Sequence, residues 1–252
     1  MENPMGKLDG KVALVTGASK GIGAGIALSL AKEGAAVAVN YNSDREGADR
    51  VVGKIKAAGG KAIAVQGSVT SSEEIDRFFS ETEKQLGNVD VLVNNAGVFA
   101  YLPLQDINEK EFHRQFDTNV LGLLLTSKRA AKQFADKGGC IINIGSVAST
   151  LTPPASSIYA ATKSAVNAIT RVLAKELGPR NIRVNSIKRD QSADSARPNR
   201  HARGHRVDRC LSRIRRSSVA HRRDRLRKRR APLKNINEVA KIARSVEHFD
   251  SW

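Results

Sequence analysis

Short apolar runs alternate with longer amphipathic stretches along residues 8–187. The apolar runs are rich in Val, Ile, Leu and Ala, which is typical of strands buried on both faces of a parallel sheet. The predicted strands are residues 12–16, 35–41, 61–66, 89–95, 140–146 and 182–187. Helices are predicted at residues 22–33, 44–58, from Ser71 or Ser72 to about Leu86, within 109–136, and at 156–177.

Alternating strands and helices indicate an α/β protein with helices on both faces of a parallel sheet. Because crossovers between parallel strands are almost always right-handed, we expect a doubly wound sheet. This is the Rossmann fold, with three α/β/α layers and strand order 3-2-1-4-5-6. The predicted dinucleotide-binding and catalytic domain is residues 1–187, and residues 188–252 form a separate, atypical C-terminal segment.

Charge is distributed unevenly along the chain. The net charge is +17, and within residues 188–231 arginine outnumbers lysine by 15 to 2. Three interpretations fit this arginine-rich segment: a GC-rich gene read in a shifted frame, a nucleic-acid-binding arm, or a disordered tail. We favour the shifted frame because the change from lysine to arginine is abrupt. Residues 188–231 contain no aromatic side chain for base stacking, so we do not expect a nucleic-acid partner.

The sequence contains no obvious targeting or membrane segment. Residues 1–10 lack the apolar core of a signal peptide, and no apolar run approaches the ~20 residues of a transmembrane helix. The chain has two cysteines, of which Cys140 lies in an apolar run, so a disulfide-rich secreted protein is not indicated. We expect a cytoplasmic location and no membrane partner. No cluster has metal-ligand spacing, so no metal is expected.

A glycine-rich loop, Thr16-Gly-Ala-Ser-Lys-Gly-Ile-Gly23, joins the first predicted strand to the first helix. Glycines there allow the backbone to approach a pyrophosphate, and the N–H groups at the start of the helix bind the anion. Such a loop also occurs for structural reasons alone. Its position between a strand and a helix favours dinucleotide binding.

The residues after the second strand bear on the choice of nicotinamide cofactor. NAD sites place an acid there to bind the ribose 2′-hydroxyl, whereas this chain reads Asn40-Tyr-Asn-Ser43 and has no acid before Asp44. Lys20 could pair with the 2′-phosphate of NADP, although a solvated surface lysine is the structural alternative. The expected cofactor is therefore NADP(H).

The glycine loop resembles that of the short-chain dehydrogenase/reductase family, and further motifs match in order. The motifs are Asn94-Asn-Ala-Gly97 after the fourth strand, Asn119 within DTNV, Ser146 at the end of the fifth strand, and Tyr159-x-x-x-Lys163. The resemblance covers residues 8–187 and is to the 3-oxoacyl-carrier-protein reductase or glucose 1-dehydrogenase type. Where the family continues with a Pro-Gly turn, this chain reads Lys188-Arg-Asp190.

The resemblance implies four catalytic residues, namely Asn119, Ser146, Tyr159 and Lys163. Tyr159 and Lys163 share one face of a helix, and an ammonium near a phenol lowers the phenol's pKa towards a working pH. Ser146 can hydrogen-bond the substrate oxygen. By resemblance, Asn119 holds a water that extends the proton relay, and Lys163 also contacts the nicotinamide ribose. Each residue alone fits an ordinary packing or capping role, but together they favour catalysis.

The expected cofactor-binding residues come from the glycine loop, the ends of the second to fourth strands and the catalytic helix. They are Gly17, Ser19, Lys20, Gly21, Ile22, Gly23, Asn40, Tyr41, Asn42, Ser43, Ser68, Val69, Asn95, Ala96, Gly97, Tyr159 and Lys163. Ser68-Val69 stands where family members often have Asp-Val, which contacts adenine.

The implied activity is hydride transfer between NADP(H) and a carbonyl or secondary alcohol. The substrate would be a small molecule or an acyl carrier, and the resemblance implies a homo-oligomer, either a tetramer or a dimer. The alternative is a nucleotide-binding but catalytically impaired chain whose basic tail could bind nucleic acid.

Overall fold

A computed structural model of the chain describes residues 6–187, so the predictions for residues 188–252 lie outside the described residues. Six parallel strands form one sheet in the order β3-β2-β1-β4-β5-β6, which confirms the expected doubly wound topology. The strands are β1 (Val12–Val15), β2 (Ala36–Tyr41), β3 (Ala62–Gln66), β4 (Val91–Asn94), β5 (Gly139–Ile144) and β6 (Ile182–Ile187).

Helices connect consecutive strands. The α-helices are α1 (Gly21–Lys32), α2 (Arg45–Ala57), α3 (Ser72–Leu86), α4 (Glu109–Phe116), α5 (Gly122–Phe134), α6 (Ala148–Leu151) and α7 (Ser157–Leu177). A π-helical segment, Asp117–Leu121, joins α4 to α5, and short 3-10 turns occupy Leu104–Asp106, Ala135–Lys137 and Gly178–Arg180.

Side-chain caps explain where several helices begin. Asp44 accepts a hydrogen bond from the Gly47 N–H at 2.9 Å and starts α2. Ser71 accepts from the Glu74 N–H at 3.2 Å, which selects Ser71 rather than Ser72 as the cap of α3. In both cases the side-chain oxygen bonds one of the backbone donors that an α-helix leaves without an internal partner.

The core lies in two layers, one on each face of the sheet. On one face α1 and α2 bury Ile26, Leu30 and Ile55 against the strands. On the other face α3 and α5 bury Phe78, Phe79 and Phe134. Because both faces are covered, the central strands β1 and β4 are fully buried and largely apolar, whereas the edge strand β6, with sequence IRVNSI, is only partly buried.

The helical stretch predicted within residues 109–136 is divided in the structure. The π-helical segment separates α4 from α5 and contains Asn119, whose side chain is 2% exposed and bonded to the backbone of Val98. A π-segment widens the helix locally and is frequent at functional sites. Continuous periodicity in the sequence does not reveal this widening, because the partner of Asn119 lies 21 residues away.

None of the helices within the described part of the chain combines the length and apolar character that crossing a membrane requires.

Candidate active site

A cavity of about 520 Å³ opens at the carboxyl ends of the strands. From β1 the chain winds outward to β3 and then returns to β4 on the other side of β1. Connections therefore leave β1 and β4 in opposite directions, and open α/β sheets bind ligands in the crevice between such strands. The volume lies within the range of small-molecule sites.

All of the predicted cofactor-binding residues line this cavity. They are Gly17, Ser19, Lys20, Gly21, Ile22, Gly23, Asn40, Tyr41, Asn42, Ser43, Ser68, Val69, Asn95, Ala96, Gly97, Tyr159 and Lys163. The cavity also has lining residues that the sequence analysis did not select, namely Asp44, Gly67, Thr70, Val98, Phe99, Thr118, Ile144 and Gly145.

The glycine loop brings backbone close to backbone at the floor of the cavity. Gly17 has φ +60°, and a Cβ there would lie 2.9 Å from the Cα of Ala96. A Cβ on Gly23 would lie 2.5 Å from both Asn95 Nδ2 and the Gly17 oxygen. Both positions therefore require glycine for conformation or for space.

The start of α1 can accept an anion from the cavity. Lys20 is the N-cap of α1, and no side chain there accepts a hydrogen bond from the first-turn N–H groups. Lys20, Gly21, Ile22 and Gly23 all line the cavity. A helix N-terminus without a side-chain cap presents N–H donors and the positive end of the helix dipole, which suit a pyrophosphate.

Two polar side chains fasten the glycine loop to β4. The Thr16 hydroxyl accepts from the N–H groups of Asn95 and Ala96, each at 3.0 Å. Asn95 Nδ2 donates to the carbonyls of Thr16 and Gly17, each at 2.9 Å. The predicted strands 12–16 and 89–95 end earlier in the structure, at Val15 and Asn94, and the Thr16 N–H still bonds the Val93 carbonyl at 3.0 Å.

Asn40 lines the cavity and is also hydrogen-bonded within the fold. It is 1% exposed, and its Oδ1 accepts from the Gly17 N–H at 3.2 Å. Its Nδ2 donates to the carbonyls of Val65 and Gly67 at 3.3 and 3.0 Å. The side chain of Asn40 therefore joins the glycine loop to the end of β3.

The rim beyond β2 carries one lysine and one acid. Lys20 has a side chain that is 82% exposed, and its Nζ lies 3.9 Å from Asp44 Oδ2. The Gly47 N–H holds the pKa of Asp44 below its usual value, with further lowering by Ser19, Lys20 and Arg50. The carboxylate is thus directed towards the start of α2, while Lys20 extends into solvent at the cavity edge.

Tyr159 and Lys163 lie one turn apart on α7 and face the cavity together. Lys163 is 6% exposed, its Nζ donates to the Ile144 carbonyl at 2.9 Å, and Nζ lies 5.8 Å from the centroid of the Tyr159 ring. Burial lowers the pKa of Lys163 to about 8. Because burial disfavours the ammonium, this lysine is poised to release or accept a proton near neutral pH.

Asn119 lies beside Lys163 but outside the lining of the cavity. Its Oδ1 accepts from the Val98 N–H at 2.8 Å, and its Nδ2 donates to the Val98 carbonyl at 2.8 Å and to Thr162 Oγ1 at 3.1 Å. A Cβ on Gly97 would lie 3.2 Å from Asn119 Oδ1 and 3.7 Å from Lys163 Nζ. The Asn119 amide therefore fixes the segment after β4 against α7.

Ser146 is two residues beyond the end of β5, rather than the last residue of the strand, and is 1% exposed. Its Oγ accepts from the Ala148 N–H at 3.1 Å, and its carbonyl accepts from Ser149 Oγ at 2.7 Å. Gly145 and Ile144, its neighbours, line the cavity. Because Oγ is an acceptor in the Ala148 contact, the hydroxyl hydrogen of Ser146 can still be donated to another oxygen.

Metal binding has no support in the described residues. Within residues 6–187, no group of three or more His, Cys, Asp or Glu side chains could hold a metal ion.

Comparisons with known proteins match the same stretch of the chain. A family model described as short chain dehydrogenase matches residues 11–190. An uncharacterized oxidoreductase of Methylorubrum extorquens is 53% identical over 183 residues, which is 73% of this chain and 73% of that protein. A 3-oxoacyl-[acyl-carrier-protein] reductase of Staphylococcus aureus is 42% identical over 178 residues, covering 70% of this chain and 72% of that protein.

Solved structures give the same result. The crystal structure of a short chain dehydrogenase from Burkholderia cenocepacia in complex with NADP has a TM-score of 0.69 and 39% identity. The match covers 72% of this chain and 74% of that one.

Proposed function

The chain belongs to the short-chain dehydrogenase/reductase family, and on that premise we propose that it transfers a hydride between NADP(H) and a carbonyl or secondary alcohol. The observation that carries this proposal is that Tyr159 and Lys163 line the same cavity as the glycine loop. The loop offers a pyrophosphate site, and the two side chains offer a proton donor in the same cavity.

Bound NADPH would supply the hydride, and the chain's own residues would supply the proton and hold the substrate. Tyr159 would donate its phenolic proton to the carbonyl oxygen of the substrate, so that this oxygen becomes the hydroxyl of the product alcohol. The Lys163 ammonium stabilises the phenolate that remains. Ser146 donates a hydrogen bond to the same substrate oxygen, and Asn119 holds the backbone of Val98 beside the reacting centre.

Preference for NADP(H) over NAD(H) is supported by the rim of the cavity. No acid occurs at Asn40, Tyr41, Asn42 or Ser43, and Lys20 extends from the glycine loop into solvent. The relative from Burkholderia cenocepacia is in complex with NADP. The acid nearest to Lys20, Asp44, remains a charged carboxylate, and the N–H of Gly47 holds one of its oxygens at the start of α2.

Two substrate types follow from similarity. The relative from Staphylococcus aureus supports a 3-oxoacyl group on a carrier protein, and the sequence resemblance also includes sugar dehydrogenases of the glucose 1-dehydrogenase type. The second candidate function is nucleotide binding with impaired turnover, which the arginine-rich composition of residues 188–231 favours because it departs from the family pattern.

Assembly and location form part of the same proposal. We propose a homo-oligomer, a dimer or tetramer, packed through an apolar surface on α4, α5 and α7. The large exposed apolar residues of this surface are Phe112, Leu124 and Val172, and Leu121 lies between α4 and α5. A cytoplasmic location is proposed from the low cysteine content.

The test measures NADPH binding and oxidation with a 3-oxoacyl thioester, and NADP⁺ reduction with glucose. Tyr159→Phe is the matched variant because it removes only the hydroxyl. We expect NADPH affinity to be retained and turnover to fall by at least about 100-fold, since positioned proton transfer contributes about 10²–10⁴-fold. Undiminished turnover in Tyr159→Phe would refute the role of Tyr159. Tight NADPH binding without turnover would favour the impaired alternative.

A further inference from the structure

Two exposed aromatic rings follow the end of β4, and the first of them, Phe99, lies beside Tyr159 in the cavity while the second, Tyr101, packs on Phe99. Phe99 is 57% exposed and lines the cavity, and Tyr101 is 47% exposed. The Phe99 ring lies 5.9 Å from the Tyr159 ring and 6.0 Å from the Tyr101 ring, centroid to centroid, and meets Tyr101 edge to face. We call Phe99, Tyr101 and Tyr159 the aromatic wall.

The backbone that carries the aromatic wall is held in place. The main chain of Val98 bonds Asn119 at both its N–H and its carbonyl. The Phe99 carbonyl accepts from Arg114 Nη2 at 3.1 Å, and the Leu102 N–H donates to the Ala155 carbonyl at 2.7 Å. The rings are therefore kept exposed by an ordered segment, which is the condition for binding a ligand with little loss of conformational entropy.

The chemistry around Tyr159 selects the kind of ligand. Phe99, Val98 and Ile144 line the same cavity as Tyr159, together with the polar residues Thr118 and Lys163. The exposed ring of Phe99 itself offers apolar contact and no hydrogen-bond partner for the hydroxyls of a sugar. A flexible acyl chain would gain only apolar area, whereas a flat aromatic ring also gains the geometric preference of ring–ring contacts.

We propose that the aromatic wall binds a fused aromatic ring of the substrate, so that a ketone on the adjoining ring meets the Tyr159 hydroxyl. Phe99 and Tyr101 are then specificity-determining residues, and the substrate class is the bicyclic or larger aryl-fused ketone. This inference rests on the proposed function, because Tyr159 must act on the ketone that the rings hold.

The test compares two ketones with the same ten-carbon bicyclic skeleton, 2-tetralone and 2-decalone. The first contains a flat aromatic ring and the second is saturated and puckered. Dissociation constants are measured by calorimetry with the full chain saturated with NADP⁺, so that no hydride is available and binding is separated from turnover. We expect 2-tetralone to bind about tenfold more tightly than 2-decalone, a ratio within reach of one or two ring–ring contacts.

Substitutions in the aromatic wall test whether its rings cause the preference for 2-tetralone over 2-decalone. Phe99→Leu and Tyr101→Leu remove a ring and keep apolar bulk, and each should reduce the ratio to within about twofold. Phe112→Leu is the matched control, because Phe112 is another exposed phenylalanine, on α4, that does not line the cavity. It should leave the ratio unchanged.

The outcomes separate this inference from the proposed function. Normal NADP⁺ binding with equal affinity for the two ketones would refute the proposed role of the aromatic wall and leave the proposed function standing. An unchanged ratio of the two ketone affinities in both Phe99→Leu and Tyr101→Leu would also refute the role of the aromatic wall. A change in sedimentation of Phe99→Leu without a change in ketone affinity would show a subunit contact instead and overturn the inference. Failure to bind NADP⁺ would overturn the proposed function and, with it, this inference.

Discussion

Lys163 provides a prediction that does not depend on turnover. Its pKa is lowered from 10.5 to about 8 by burial in the folded chain. One pKa unit corresponds to about 1.4 kcal/mol, so the buried ammonium costs about 3 kcal/mol of folding stability while it is charged. Lys163→Met keeps a similar apolar length and removes the charge.

The direction in which stability changes with pH follows from proton linkage. Below about pH 8 the folded and unfolded states both hold the proton, and the full penalty is present. Between about pH 8 and 10.5 the unfolded state binds more protons than the folded state, so the stability of the unaltered chain rises with pH through this window. The stability of Lys163→Met relative to the unaltered chain should therefore fall by about 2–3 kcal/mol between about pH 7 and about pH 10.

Urea unfolding of both proteins across this pH range measures the difference directly. Lys84→Met, at an exposed lysine on α3, is the control for removing a lysine without removing a buried one. Parallel pH profiles for the unaltered chain and Lys163→Met would refute the reasoning, because they would mean that Lys163 has the same proton affinity in the folded and unfolded states.

Three further predictions concern the cofactor loop and the end of the described region. Lys20→Glu should weaken the binding of NADPH by about tenfold or more relative to that of NADH, as expected for loss of a charge-assisted contact. The control Lys84→Glu should leave both affinities unchanged. Equal losses of affinity for both cofactors in fluorescence titrations would argue against a contact between Lys20 and the 2′-phosphate. Gly23→Ala should weaken the binding of NADPH at least tenfold, since its Cβ would lie 2.5 Å from Asn95 Nδ2 and from the Gly17 oxygen. The control is Gly53→Ala, whose Cβ would have no atom within 4 Å and which should stabilise α2 by about 0.5–1 kcal/mol. Equal NADPH affinity in the two variants would contradict this prediction. The coding DNA near codon 187 should contain a shifted frame that continues into a Pro-Gly turn, and an open reading frame with no such continuation would remove that interpretation.

Much of the fold could be predicted because its signals are local. β1 is fully buried and appears as an unbroken apolar run, and β5 is fully buried and apolar except for Gly139 and Asn143. The handedness of the connections then leaves few strand orders. The glycine loop could also be predicted from the sequence, because the structure requires glycine at Gly17 and Gly23, and the motif spacing marks both positions.

The features that sequence analysis missed depend on contacts between distant residues. The Thr16 hydroxyl, just after β1, bonds residues 79 and 80 positions away. Asn40, within β2, has its amide bonded to Gly17 and to Val65 of β3, which the neighbouring sequence does not indicate. Phe99 precedes Tyr159 by sixty residues, so no local pattern places the two rings together.

The central claim is that this cavity brings a nicotinamide and a carbonyl together beside Tyr159. The most direct measurement uses NADPH labelled with deuterium at the transferred position, together with 2-tetralone and a 3-oxoacyl thioester. The account predicts that the label appears on the carbon bearing the new hydroxyl, and that Tyr159→Phe binds the labelled cofactor but forms almost no labelled alcohol. Tight NADPH binding with no labelled alcohol from either ketone would contradict the account and leave a nucleotide-binding chain without hydride transfer.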